Sequence, residues 1–248
     1  MPLPDAGCDV EWPDDATEVL GPQSLAQRLE AGEEGDWWLE AHGPLQVQGE
    51  CRVGRLLLTH GAGAGQDSAF MVALRQALAQ AGIQTLAIEF AYLRRMRREG
   101  RRRPPPRVER LVDELAGWRD ALAEHLATPP WLGGKSMGGR VASMLAAREG
   151  APGLVLCGYP FHPPRRPATL RLDHWPDLAC PTLVVQGERD PFGTRLEVEG
   201  YDLPAVAELQ WLPDGEHDWR PRRRSGHDQA SLIRQAACGI AAFLQRHA

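Results

Sequence analysis

The sequence of 248 residues lacks several features that would assign it to a common protein class. No apolar run approaches the roughly 18 residues that a membrane-spanning helix requires, so no membrane span is expected. The N-terminus has neither a basic start nor an apolar stretch, so a signal peptide is not expected either. The five cysteines are odd in number and form no C-x-x-C pair. Neither a disulfide framework nor a zinc site is therefore predicted, and a cytoplasmic protein is the expectation.

Lysine is nearly absent, because Lys135 is the only one beside 27 arginines. The net charge of −5 conceals two regions of opposite sign. The first 50 residues hold 12 acidic side chains and one base, Arg28, whereas nine arginines lie between Arg94 and Arg110. Aromatic residues make up only 6%, which with the negative net charge argues against a nucleic-acid partner. The arginine cluster predicts a patch that attracts small anionic substrates, with an ordinary solvated loop as the alternative.

From Arg55 onward, short apolar runs alternate with segments of helical periodicity. Strands are expected at 55–59, 83–88, 131–133, 154–157, 182–187 and 208–212, and the main helices at 70–81, 108–126, 137–148 and 227–245. This alternation predicts an α/β fold, with a mostly parallel central sheet and helices on both faces. Residues 1–40 are predicted to be an acidic N-terminal extension with one helix near 20–29. Residues 41–248 are predicted to be one α/β domain, in which 91–107 form an arginine-rich loop.

The strongest sequence signal is Gly134-Lys135-Ser136-Met137-Gly138, placed where a strand should turn into a helix. A serine on so sharp a turn needs a strained backbone and uncrowded positions two residues before and after it, which glycine provides. The turn exposes the serine hydroxyl and directs the N-terminus of the next helix toward it. The pattern therefore predicts that Ser136 is a nucleophile.

Two nucleotide-binding motifs compete for the same glycines. Gly134-Lys135-Ser136 resembles the end of a P-loop, but the first glycine of that motif would fall at Pro129, which removes the turn that cradles phosphate. The segment 61–65 resembles a dinucleotide-binding fingerprint, but Gln66 and Ser68 stand where its third glycine belongs. Neither motif is complete, so no metal or organic cofactor is implied.

A serine nucleophile needs a base and a carboxylate that orients the base. Asp190 lies in the loop after the run 182–187, and His217 lies beyond the last predicted strand. The order Ser136, Asp190, His217 is that of α/β-hydrolases and differs from the orders in chymotrypsin and subtilisin. We therefore predict a triad of these three residues. Other candidates are predicted to be structural, namely Lys135, Glu188, Asp214, Asp218, His60, His162, His174 and His227.

The loop after the first predicted strand, Thr59-His60-Gly61-Ala62-Gly63, matches the loops that donate one backbone N–H to an oxyanion hole. Met137, directly after the serine, is the predicted second donor. Within the loop Ala62 is the predicted donor, with Gly63 as the alternative. A simpler interpretation is that these glycines only let the loop pass close to the sheet.

Four sequence blocks together resemble one branch of the α/β-hydrolase superfamily, and they are 59–65, 133–139, 185–194 and 215–219. They are similar to small bacterial dienelactone-hydrolase-like proteins and to the hydrolase-like domain of a subunit of the eukaryotic chromatin-associated NSL complex. The resemblance covers roughly residues 45–248. It implies an α/β-hydrolase fold and hydrolysis of an ester or thioester through an acyl-enzyme. Dienelactone hydrolases proper use a cysteine nucleophile, so their substrate is not carried over to Ser136.

The chromatin-complex relatives leave an alternative, since this fold can also serve as a non-catalytic scaffold or interaction protein. About 22 residues separate the strands at 154–159 and 182–187, too few for a large helical cap domain. We therefore expect an open site that favours small soluble esters over lipids. The acidic segment 1–40 is expected to pack near the arginines 94–110 and to shield the site in part.

Overall fold

The computed structural model describes residues 17–247, which build one sheet of nine strands in the order β1-β2-β3-β5-β4-β6-β7-β8-β9. The strands are β1 (Glu18–Leu20), β2 (Gly35–Leu39), β3 (Gly43–Gln48), β4 (Gly54–Thr59), β5 (Ile83–Ile88), β6 (Trp131–Lys135), β7 (Leu154–Cys157), β8 (Thr182–Gly187) and β9 (Ala207–Leu212). All neighbouring pairs from β5 through β4, β6, β7 and β8 to β9 are parallel, whereas β3 runs antiparallel to β2 and β5. The prediction of a mostly parallel sheet is confirmed.

Helices cover both faces of this sheet, as predicted. They are α1 (Pro22–Glu30), α2 (Ala69–Gln80), α3 (Ala91–Glu99), α4 (Val108–Ala123), α5 (Met137–Glu149), α6 (Arg195–Val198) and α7 (Gln229–Arg246). Helices α1, α4 and α5 pack in one apolar cluster, and α2 and α7 pack in the other. Successive strand side chains point to opposite faces, so Leu57 joins the first cluster while Leu56 and Leu58 join the second. The central strands are mostly apolar because both of their faces are covered.

The predicted domain boundary between residues 40 and 41 falls inside a pair of neighbouring strands of the sheet. Strands β2 and β3 pair across this point, from Gly35 opposite Val47 to Leu39 opposite Gly43. Helix α1, which was expected near residues 20–29, contributes buried side chains to the common core. The sequence signal was weak because β1 has only three residues and β2 leaves polar or partly exposed side chains on one face. Residues 1–16 of the predicted extension lie outside the described residues.

The predicted arginine-rich loop at 91–107 is also wrong in its first part, which forms α3. Gly100, with φ 60°, ends this helix in the left-handed conformation that glycine adopts readily. Leu93 is the only buried residue of α3, so the apolar periodicity that identifies a helix is missing from the sequence. Arginine has good helix propensity, and the pair Arg95–Glu99, four residues apart, adds support on the exposed face.

The predicted site motifs follow β4, β6, β8 and β9, whose C-terminal ends meet at one edge of the sheet. In open α/β sheets this edge is where ligands bind. Between β7 and β8 there is only a short 3₁₀ turn, Trp175–Asp177, so no large cap domain is inserted at this position. Within residues 17–247, none of the helices combines the length and the apolar character needed to span a membrane.

Candidate active site

Ser136 lies on a strained turn between β6 and α5, with φ 53° and ψ −115°. A backbone of this kind costs about 1–3 kcal/mol and persists only where its surroundings impose it. Here the end of β4 imposes it: a Cβ on Gly138 would lie 2.6 Å from the carbonyl oxygen of His60, and one on Gly134 would overlap Thr59 Oγ1. Glycine at both positions is therefore a steric requirement, as the sequence pattern predicted.

The three predicted triad residues come together at this turn. His217 Nε2 lies 2.9 Å from Ser136 Oγ, and His217 Nδ1 lies 2.8 Å from Asp190 Oδ2. With the ring proton on Nδ1, the imidazole donates to Asp190, and Nε2 is free to accept the proton of the serine hydroxyl. The distances therefore suit proton transfer from Ser136 to His217.

The Asp190 carboxylate is fully buried, and further hydrogen bonds fix its orientation. Its Oδ1 accepts from the Phe192 N–H at 2.9 Å, and its Oδ2 also accepts from Gln186 Nε2 at 3.1 Å. The Phe192 ring lies against the His217 ring, with centroids 4.4 Å apart. The histidine is thus held both by a carboxylate and by an aromatic contact.

The backbone N–H groups of Ala62 and Met137 have no hydrogen-bond partner within the described part of the chain. Met137 is the first residue of α5, where the first N–H to find a helical acceptor is that of Arg140, 3.1 Å from the Ser136 carbonyl oxygen. The loop before Ala62 runs close to the nucleophile, because a Cβ on Gly61 would lie 3.7 Å from Ser136 Cβ. The Tyr92 hydroxyl donates to the Ala62 carbonyl oxygen at 3.0 Å and so restrains this loop.

The other histidines with resolved contacts have structural partners. His60 Nδ1 lies 2.7 Å from the Gly61 carbonyl oxygen, and its Nε2 accepts from the Phe90 N–H at 3.1 Å. Burial lowers the pKa of His60 to about 4, so the ring is neutral at pH 7. Burial also lowers the pKa of His174 to about 4, and its Nε2 lies 2.8 Å from Ser143 Oγ.

The acids near the triad in sequence mostly bind arginines. Glu188, just beyond β8, lies 2.9 Å from Arg195, and Asp214 accepts from Arg222 Nε at 2.7 Å. The exception is Asp218, whose Oδ1 lies 3.2 Å from Nζ of the buried Lys135. Sequence reasoning missed this pair, although Lys135 precedes the serine and Asp218 follows the histidine.

A cleft of about 520 Å³ adjoins the loop that contains Ala62, and residues 63–65 line it together with α3. Leu93 and Met96 supply apolar wall, while Arg101 and Arg102 lie at the same cleft. Within residues 17–247, neither of these two arginines has an ion-pair partner. Together with residues 63–65 they form what we call the arginine cleft.

The segment before residue 40 contacts the first of the arginines between Arg94 and Arg110. The Arg94 guanidinium lies 5.7 Å from the Trp38 ring of β2, and it donates to the His42 carbonyl oxygen at 3.3 Å. Arg97, by contrast, pairs with Asp67 at 2.6 Å, which lies outside the acidic segment. The predicted shielding of the site by residues 1–40 therefore stays a prediction.

Four cysteines lie within the described residues and all four are free thiols. Cys157 ends β7 beside the serine turn, and burial raises its pKa to about 12. Its thiol is therefore protonated at neutral pH and does not compete with Ser136 as a nucleophile. Across residues 17–247, no group of three or more histidine, cysteine, aspartate or glutamate side chains has an arrangement that could hold a metal ion.

Comparison with known proteins gives one family for most of the chain. Residues 52–245 match the family model described as the alpha/beta hydrolase domain. The predicted superfamily resemblance and fold are thereby confirmed.

Solved structures extend this likeness to the fold as a whole. A dienelactone hydrolase from Anabaena variabilis is 21% identical, with a TM-score of 0.59 over 82% of this chain and 95% of that chain. Est1E from Butyrivibrio proteoclasticus is 13% identical, with a TM-score of 0.62 over 85% and 98%. An α/β serine hydrolase without lid from Xanthomonas campestris is 18% identical, with a TM-score of 0.54 over 87% and 93%. At these identities the likeness establishes the fold alone.

Proposed function

The chain belongs to the alpha/beta hydrolase domain family, and we propose that it is a serine hydrolase that cleaves carboxylic esters or thioesters. The observation that supports this proposal most directly is the pair of hydrogen bonds that join Ser136 to His217 and His217 to Asp190. In the first step, Ser136 Oγ attacks the carbonyl carbon while His217 Nε2 takes the hydroxyl proton. Asp190 keeps the ring in the required tautomer and stabilises the imidazolium that forms.

The backbone N–H groups of Ala62 and Met137 are proposed to bind the oxyanion of the tetrahedral intermediate. Loss of one such donor typically removes about 3 kcal/mol of transition-state stabilisation. When the intermediate collapses, the alcohol or thiol leaves with the proton from His217, and an acyl group remains on Ser136. A water molecule, deprotonated by His217, then hydrolyses this acyl-enzyme and restores the free serine.

The substrate is proposed to be a small ester that carries a negative charge. The support for this is the arginine cleft, where Arg101 and Arg102 lack ion-pair partners within the described residues. A carboxylate or phosphate held there would place its ester group toward the Ala62 loop, because residue 63 lines the cleft and is adjacent to the proposed oxyanion donor. A cytoplasmic location belongs to the same proposal, and the free thiols of the described cysteines support it.

The proposal is tested with a fluorophosphonate probe, which labels activated serines. We expect the purified protein to be labelled, Ser136→Ala to remain unlabelled, and Ser225→Ala, a matched change outside the site, to be labelled as the parent is. A panel of nitrophenyl and thioester substrates graded by acyl length and charge then defines the substrate class. A folded protein that is neither labelled nor active on any short ester would refute the enzyme and favour the non-catalytic scaffold.

A further inference from the structure

The only lysine of the chain is buried directly beside the nucleophile. Lys135 ends β6, one residue before Ser136, and only 5% of its surface is exposed. A buried ammonium group is unfavourable unless it is paired, and lysine is seldom fully buried without a partner. Burial lowers the pKa of Lys135, and the nearby carboxylates of Asp218 and Asp190 oppose this effect. The arrangement therefore requires a reason beyond packing.

The partner of Lys135 lies on the loop that carries the proposed base. Asp218 follows His217 directly, and its Oδ1 lies 3.2 Å from Lys135 Nζ. Within this loop, Glu216 Oε1 accepts from the Asp218 N–H at 3.1 Å. Gln229 Nε2 also donates to the Asp218 carbonyl oxygen at 2.7 Å. The ion pair is thus a second link between the serine turn and the histidine loop, beside the hydrogen bond of His217 to Ser136.

Two neighbours place the ammonium group close to His217. Gly158 has φ 60°, and a Cβ there would lie 3.2 Å from Lys135 Nζ and 3.1 Å from the His217 carbonyl oxygen. The Phe70 ring, whose centroid is 5.3 Å from Nζ, packs edge-on against the buried Trp219 of the same loop. The lysine head group therefore lies near the backbone of the proposed base and near an aromatic surface that supports the loop.

We propose that Lys135 is a positioning residue, which holds the His217 loop in place through its ion pair with Asp218. This inference rests on the proposed function for its catalytic meaning. Without either partner the loop loses this link, and the His217 ring should be held less firmly against Asp190 and Ser136.

Other charged or titratable groups also face this region, and they remain unchanged in the test. They are Asp190 from the loop after β8, Glu216 on the histidine loop itself, and the Cys157 thiol at the end of β7. Because these groups are common to all the variants, differences between variants report the pair alone.

The experiment follows the Nδ1 proton of the His217 ring by NMR at one fixed pH, with the signal assigned through its loss in His217→Gln. Lys135→Met and Asp218→Asn should each raise the solvent-exchange rate of this proton several-fold, because a loosened loop weakens its hydrogen bond to Asp190. The double variant should exchange no faster than either single variant. Glu208→Gln, which removes a remote surface pair with Arg246, should leave the exchange rate unchanged.

Faster exchange in both single variants, with no further increase in the double variant, supports the proposal, because both changes then break the same link. Exchange at the parent rate in the single variants overturns it. If Lys135→Met does not fold, Asp218→Asn decides alone, since 49% of its side chain is exposed. The NMR readout needs no turnover, so failure of the proposed function would appear separately as absent probe labelling. In an active enzyme, Asp218→Asn should also lower kcat several-fold with little change in KM.

Discussion

Two regions adjoin the loop at residues 61–65, the triad near Gly61 and the arginine cleft at residues 63–65, and they differ in how their charged and polar groups are paired. On one side, Ser136, His217 and Asp190 hydrogen-bond one another, and the carboxylate is completely buried. On the other side, Arg101 and Arg102 of the arginine cleft have no ion-pair partner within residues 17–247. In the proposed function, the triad supplies the reactivity, and the two arginines supply selectivity for charged esters.

The largest expected effect is on the triad side and does not depend on substrate charge. Ser136→Ala should lower kcat by at least about 10⁴-fold for anionic and neutral esters alike, because the nucleophile is lost. Steady-state kinetics on a pair of esters matched in size but different in charge would measure this. The melting temperature should stay close to that of the parent, and substantial residual turnover would contradict the assignment of Ser136.

Asp190→Asn should follow with a loss of about 10³- to 10⁴-fold in kcat, again equal for both esters. An amide in place of the carboxylate can no longer favour the His217 tautomer that has its proton on Nδ1. Fluorophosphonate labelling rates give an independent measurement, which should fall in parallel with kcat. Asp214→Asn is the matched control, because Asp214 binds Arg222 and not the triad. A loss in the control as large as that in Asp190→Asn would refute the specific role of Asp190.

An intermediate effect is expected on stability and concerns His60. Its ring hydrogen-bonds to Gly61, in the loop beside the triad, and to Phe90, the residue before α3. Its pKa is lowered to about 4 in the folded protein, so between about pH 6.5 and 4 the unfolded chain binds a proton that the folded chain does not. The free energy of unfolding should therefore decrease as the pH falls through this range, with His60 contributing on the order of 3 kcal/mol.

Urea unfolding between pH 7 and pH 4 measures this dependence. His60→Gln should be less stable at pH 7 but should lose less stability on acidification than the parent does. His227→Gln, at an exposed histidine, serves as the control and should retain the full dependence. An unchanged slope in His60→Gln would show that other groups account for the acid sensitivity.

The smallest effect is expected in the arginine cleft, and it should depend on substrate charge. The double change Arg101→Gln and Arg102→Gln should raise KM for the anionic ester about three- to ten-fold and leave kcat and the neutral ester nearly unchanged. Each charge acts at an exposed site, where added salt should also weaken its contribution. Arg246→Gln, a surface arginine paired with Glu208, is the control. Equal effects on both esters would remove the proposed role of the cleft in selectivity.

The elements that were predicted correctly are those whose local sequence already contains the physical cause. Gly134 and Gly138 predict the turn at Ser136, because a Cβ at either position would collide with the end of β4. Apolar runs such as Leu154–Cys157 predict central strands, because helices cover both faces of the sheet there. Helix α3 and strand β2 were missed because one carries almost no apolar stripe and the other is short and half exposed.

By itself, the amino-acid sequence determined which loops follow which parallel strands and where the strained serine turn lies. It also identified the three residues proposed for catalysis. These follow from steric and periodic constraints between neighbours in the chain. Only the tertiary structure decided which distant charges meet. It brought Asp218 into an ion pair with Lys135 and the Arg94 guanidinium against the Trp38 ring. It also added the first described strands to the edge of the same sheet. Such contacts depend on how loops from separate strands converge at one edge of the sheet. No local sequence pattern encodes the distance between residues that are far apart in the chain.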